Sequence, residues 1–134
     1  MIFEQLFDKK SSTYTYLIAS NKGREALIID PVIDNVSEYI NLLNSLDLKL
    51  VKVIDTHIHA DHVTGASNLK DLTKCSTIMG EHTPAEAVEI KVKDDEYINL
   101  DNLKIRAMHT PGHTSDSFSF LMNNYLFSGD TLLI

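Results

Sequence analysis

The sequence has a single cysteine, Cys75, so no disulfide can form within the chain. One thiol is compatible with a reducing compartment and does not require one. Long apolar runs are also missing: none approaches the ~20 residues needed to span a bilayer. The first eight residues read Met-Ile-Phe-Glu-Gln-Leu-Phe-Asp, with an acid early and no basic stretch ahead of an apolar run, so no signal peptide is expected there. Positive charge is scarce as well. Twelve Lys and Arg stand against 19 Asp and Glu, a formal net charge of -7. A nucleic acid needs a basic stripe, and Lys9, Lys10, Lys91 and Lys93 are short clusters that read as solvated surface. The expectation is a cytoplasmic protein with neither a membrane nor a nucleic acid as partner.

At 134 residues and 43% hydrophobic, the chain has the size and core content of one globular domain, 1–134. Its first third reads as an antiparallel meander, with strands over 2–7, 13–19 and 26–29. Asn21-Lys22-Gly23 is a turn signal, and Asp30-Pro31 ends the third strand because proline cannot donate to a ladder. Between 36 and 46 the apolar period changes. Val36, Ile40, Leu43 and Leu46 recur at helical spacing, with Asn35 placed to cap. A strand over 50–54 follows, then a helix over 65–74, a strand over 76–79, and a short helix over 84–90 with proline in its first turn. A strand over 103–108 precedes a hairpin, 118–121 and 125–127, across Asn123-Asn124.

The chemistry is concentrated after the fourth strand. His57-Ile58-His59-Ala60-Asp61-His62 packs four potential metal ligands into six residues. In a loop after a strand, His57 and His59 can point one way while Asp61 and His62 turn toward a neighbouring point. Imidazole and carboxylate suit zinc, iron or manganese, and no cysteine lies close enough in sequence to make a thiolate site. Two further segments have a related design. Thr110-Pro111-Gly112-His113-Thr114 holds a histidine in a shaped turn after a strand, and Ser128-Gly129-Asp130 does so with a carboxylate. Side chains delivered by several strand ends into one mouth are how mixed α/β sheets build sites. His82 reads as surface, His109 as surface or a supporting group, and Asp55 and Asp116 as loop or supporting groups. Cys75 reads as a small buried hydrophobe.

These motifs resemble the metallo-β-lactamase superfamily, through His-x-His-x-Asp-His at 57–62, Pro-Gly-His at 111–113 and Gly-Asp at 129–130. Within it the sequence is most similar to the persulfide dioxygenases. Gln5-Leu6-Phe7-Asp8, Ser12-Thr13-Tyr14-Thr15-Tyr16-Leu17, Ile29-Asp30-Pro31-Val32, the Val63-Thr64-Gly65 that follows the histidine motif, and Ser128-Gly129-Asp130-Thr131-Leu132-Leu133-Ile134 carry that likeness. The resemblance implies an α+β fold, the four-layer αββα sandwich of that superfamily, with these residues forming its N-terminal portion. It implies one Fe(2+) per chain, held by His57, His113 and Asp130, with Zn(2+) the alternative metal. His59 joins the metal set in dinuclear relatives, where Asp61 and His62 also bind and Asp130 bridges. In the dioxygenases His59, Asp61 and His62 orient the ligands, and Asp61 and His62 are the expected catalytic supports.

The activity implied is oxidation of glutathione persulfide to sulfite and glutathione. A glyoxalase II-like hydrolase, splitting a glutathione thioester at a dinuclear centre, is the alternative enzyme. Members of the superfamily continue well past the Gly-Asp motif. A third reading is therefore an inactive metal-binding fragment, in which open sheet faces and edges pair two chains into a homodimer. The expected small-molecule partner is a glutathione-type thiol or persulfide.

Overall fold

The computed structural model describes residues 1–21, 24–57, 64–85, 88–111 and 115–128, and the backbone of 132–133. The chain builds β1 (Ile2–Asp8), β2 (Thr13–Ala19) and β3 (Glu25–Ile29), then a single 3-10 turn (Ile33–Asn35) leading into α1 (Val36–Ser45). Next come β4 (Lys49–Ile54), α2 (Ala66–Thr73), β5 (Ser76–Gly80) and β6 (Ile90–Val92). A second group of strands follows: β7 (Tyr97–Leu100), β8 (Leu103–His109), β9 (Phe118–Met122), β10 (Tyr125–Phe127) and β11 (Leu132–Leu133).

The first sheet has the order β1-β2-β3-β4-β5-β6 and the second β11-β10-β9-β8-β7. In the first, β1, β2 and β3 pair antiparallel, whereas β3, β4, β5 and β6 pair parallel. The second sheet is antiparallel throughout. Parallel pairing needs a crossover, and α1 and α2 supply two of them.

The pattern of apolar residues explains the layering. Residues 16–19 of β2 and 26–29 of β3 are apolar at successive positions because both faces are covered there. Tyr16, Ile18, Leu27 and Ile29 meet Ile105, Phe118, Phe120 and Phe127 of the second sheet in one core. Leu17, Ala19, Ala26 and Ile28 meet Val36, Tyr39 and Leu43 of α1 and Leu69 of α2 in another. Helix, sheet and sheet thus form three successive layers among the described residues. No described helix is long and apolar enough to cross a membrane.

Two expectations are corrected. Residues 84–90 form no helix among those described: Ile90 instead opens β6, pairing with Ile78. In a helix the Glu89 amide would bond the Ala85 carbonyl, but it donates instead to Thr77 Oγ1 on β5 at 3.1 Å. Asn35 does stand ahead of α1, yet its side chain makes no capping bond. Its amide donates to Asp8 Oδ1 at 3.1 Å and so ties the helix to the end of β1. Strands β6, β7 and β11 add pairing that the pattern did not announce. The Asn123 turn is as expected, with Asn123 at φ 54 between β9 and β10.

Candidate metal centre

Strand β4 carries the chain inward between β3 and β5 and delivers Asp55, Thr56 and His57 at its carboxyl end. Beside that end, β3 stops at Asp30, whose φ of 55 turns the backbone into the left-handed region. Aspartate tolerates that conformation at modest cost. The turn directs the Asp30 carboxylate at Thr56. It accepts the Thr56 amide at 2.8 Å on one oxygen and the Thr56 hydroxyl at 2.8 Å on the other. Thr56 Oγ1 also lies 2.9 Å from Nδ1 of His57. Both Asp30 (0% exposed) and Thr56 (1%) are sealed from water.

The turn itself is braced from two sides. Thr15 on β2 donates its hydroxyl to the Asp30 carbonyl at 2.7 Å. Tyr39 on α1 brings its hydroxyl to 3.1 Å from Thr15 Oγ1 and accepts the Val32 amide at 3.0 Å. A helix residue thereby fixes the backbone that holds the carboxylate.

The segment after His57 is closed at its base by a second clasp. Thr64 Oγ1 sits 2.9 and 3.1 Å from the two oxygens of buried Asp55. Val32 and Thr64 form an antiparallel bridge, and the Gly65 amide donates to the Pro31 carbonyl at 2.9 Å. Any Cβ at Gly65 would come within 2.9 Å of Val36 Cγ2, so the close approach of this segment to α1 depends on glycine.

The second sheet reaches the same rim through backbone bonds and packing. The Phe118 amide donates to the Thr56 carbonyl at 2.8 Å, so the start of β9 is joined to the residue before His57. His109 pairs with Phe118 across β8 and β9, and the Thr110 amide donates to the Ser117 carbonyl at 3.0 Å. The segment containing residue 113 is thus closed at its base beside Thr56. Thr110 Oγ1 and Ser119 Oγ, 2.7 Å apart, reinforce that base. Strand β10 runs antiparallel to β9 with Phe127 opposite Phe120, and it hands the chain to Ser128 near the β9 start. The Phe118 ring lies against Gly80, where an added Cβ would fall 2.0 Å from a ring carbon.

Of the six residues singled out in the sequence, His57 is described: half-buried, with Nδ1 against a hydroxyl. His59, Asp61, His62, His113 and Asp130 lie outside the described residues. Among the described residues no group of three His, Cys, Asp or Glu side chains gathers to hold a metal. The expected supporting groups are partly seen. Asp55 is the buried anchor of Thr64, and Asp116 is buried, 5% exposed. His82 is exposed, and its ring lies against that of His109, tilted by 30° with centroids 4.2 Å apart. His109 Nε2 lies 3.0 Å from the Ser115 carbonyl oxygen. Cys75 is free and buried, and burial pushes its thiol up from the ordinary value.

Sequence reasoning missed what Asp30, Thr56 and Gly80 do. Asp30 reads as a strand terminator ahead of proline, a position that favours extended backbone rather than φ 55. Only the neighbouring strand reveals its carboxylate as an acceptor. Thr56 had a positional signal, being the last residue before the histidine motif, but nothing that pairs it with residue 30.

Comparison with protein-family models matches residues 9–134 to the family described as Metallo-beta-lactamase superfamily. Among curated proteins, the chain is similar to the persulfide dioxygenase ETHE1, mitochondrial, of Bos taurus. The two are 34% identical over 137 residues, covering 100% of this chain and 54% of that protein. It is also similar to a hydroxyacylglutathione hydrolase of Dictyostelium discoideum, 32% identical over 131 residues, covering 90% of this chain and 48% of the relative. Among solved structures, the crystal structure of ETHE1 from Myxococcus xanthus superimposes with a TM-score of 0.93 at 40% identity. That match covers 100% of this chain and 59% of the other. The chain spans about half the length of the curated relatives it matches.

Proposed function

The chain belongs to the metallo-β-lactamase superfamily and has its fold, and on that premise we propose that it is the metal-binding part of an iron-dependent persulfide dioxygenase. The observation that carries this reading is the likeness to persulfide dioxygenases along the whole chain, at 34% identity to a curated relative and 40% to a solved structure. The coarser point, a metal-dependent enzyme of this superfamily, is common to the relatives. The dioxygenase activity and its iron are the finer proposal.

The donor set fits such an ion. Two imidazoles and one carboxylate, His57, His113 and Asp130, make the facial triad typical of non-haem iron(II). A ligating histidine ordinarily has its second ring nitrogen engaged, and His57 Nδ1 lies against the Thr56 hydroxyl. When bound, iron(II) supplies a redox centre with positions left for a sulfur ligand and dioxygen. Overall, a glutathione-type persulfide, dioxygen and water would yield the thiol and sulfite, the terminal sulfur being oxidised and the dioxygen reduced.

The chain's own residues contribute positioning. Asp30 and Thr56 hold the strand end from which His57 projects, and the Asp55–Thr64 clasp fixes the base of the segment bearing His59, Asp61 and His62. The Phe118 amide joins the second sheet to that strand end, and with it the base of the segment bearing His113. His59, Asp61 and His62 orient the ligands in this reading.

Oxygen uptake with glutathione persulfide is the test. Uptake with sulfite as product is expected from iron-loaded protein, and a folded, iron-loaded sample without uptake overturns the proposal. A second reading, a thioester hydrolase with a dinuclear centre, is favoured by the likeness to hydroxyacylglutathione hydrolase. It uses His59, Asp61 and His62 as further ligands. Elemental analysis separates the two, with one metal per chain for the dioxygenase and two for the hydrolase.

A further inference from the structure

The hydroxyl of Thr56 stands between two partners and has one proton to give. It lies 2.8 Å from Asp30 Oδ2 and 2.9 Å from His57 Nδ1. An ionised carboxylate only accepts, whereas a neutral imidazole has one nitrogen that donates and one that accepts. If the hydroxyl proton pointed at Nδ1, the hydroxyl oxygen would face the Asp30 oxygen at 2.8 Å with nothing between them. That is a repulsive contact in a place closed to water. If it points at Asp30, the hydroxyl oxygen turns its lone pairs to Nδ1 and requires a hydrogen there. Within this trio of contacts, only the second arrangement satisfies all three groups.

The direction of the proton is fixed from further back. The Asp30 carboxylate also accepts the Thr56 amide at 2.8 Å, so it cannot rotate without surrendering two bonds. The Asp30 carbonyl is held by Thr15, which Tyr39 in turn meets. Asp30, Thr56, Thr15 and Tyr39 are all within 2% of full burial. We propose that Thr56 is a positioning residue which, directed by Asp30, holds the His57 proton on Nδ1 and reserves Nε2 as the metal-binding nitrogen. A histidine in solution favours the opposite tautomer slightly. A site that fixes it beforehand removes that cost from metal binding and also sets the ring plane.

The inference rests on His57 being a metal ligand, and its experiment separates the two claims. Ring nitrogens of His57 are read by two-bond 1H–15N correlation on the uniformly labelled full chain without metal, with the ring neutral. The Nδ1–H tautomer is expected in the wild-type protein, and this needs no variant to fold. A spectrum showing the Nε2–H form overturns the inference outright. Thr56→Ser keeps the hydroxyl and is expected to keep both the tautomer and the affinity for Zn(2+), measured by chelator competition. Thr56→Val is expected to lose the single tautomer and to bind Zn(2+) about 10–100-fold more weakly. Unchanged zinc affinity in a folded Thr56→Val protein overturns the role in metal binding. Zinc affinity unchanged in His57→Ala instead sinks the ligand assignment of the proposed function, while the tautomer measurement stands by itself.

Discussion

Two arms of the molecule reach the metal-centre rim, and they are held there by different physics. The β4 arm ends in a buried polar network in which two carboxylates, Asp30 and Asp55, each grip a threonine. Among the described residues, the β8–β9 arm shows strand pairing, a hydroxyl pair, the His109 ring nitrogen against the Ser115 carbonyl, and an aromatic ring pressed on a glycine. Polar networks specify direction, since each donor has one acceptor that satisfies it, and they fail steeply when one member is removed. Packing specifies distance, and it fails by degrees as neighbours shift.

The largest effect is expected where the network is cut. Asp30→Ala leaves the Thr56 amide and hydroxyl without their buried acceptor and puts alanine at φ 55. A loss of about 3 kcal/mol in urea unfolding is expected, from the cost of unsatisfied buried donors together with a left-handed non-glycine residue. A loss below about 1 kcal/mol would mean that packing holds this arm too, and the contrast would be gone. Asp30→Asn, which tolerates the same backbone and keeps one acceptor, is expected to fall between the two.

Gly80→Ala probes the other arm. An alanine Cβ would overlap the Phe118 ring at 2.0 Å, so ring or strand must move. Overpacking of this kind costs about 1–3 kcal/mol. Because the Phe118 amide bonds the Thr56 carbonyl, the displacement is expected to appear as amide shift changes at Thr56 and His57. Changes confined to β5 and β9 would show that the arms are independent.

The smallest effect is a pH dependence at the far end of β5. Burial raises the Cys75 thiol above its ordinary value of 9.0, so the folded state favours the neutral form. The unfolded chain ionises first as pH rises, so this contribution is whole below about pH 9 and is lost progressively above it. Cys75→Ala is expected to flatten the alkaline limb of stability against pH, and an unaltered limb would place its origin elsewhere.

The strands and helices were legible where one residue's neighbours in sequence are its neighbours in physics. The alternation of β2, the apolar run of β3, the helical spacing of Val36, Ile40 and Leu43, and the Asn123 turn all have that character. Residues 84–90 were misread because proline and apolar residues there fit a helix equally well, and the pairing of Ile90 with Ile78 decides otherwise. The histidine motif was legible as chemistry. Its support was not, because Thr56 is held by the distant residues 30 and 118 and no local pattern links them. The donor side chains at 59, 61, 62, 113 and 130 lie outside the described residues, and for them the sequence motif and the likeness to relatives carry the reading.

Thr56 is gripped from early in the chain through its amide and hydroxyl, and from late in the chain through its carbonyl. Contacts of such wide separation must close long loops before they are rewarded, so they form late on the way to the native state. The hairpin of β1 and β2 can zip as soon as it is made, whereas the rim waits for β9. A chain still emerging from the ribosome would therefore carry its histidine motif on an unfinished strand end. The Phe118 amide, protected from solvent exchange only once that last bond is in place, is a natural reporter of when the rim becomes whole.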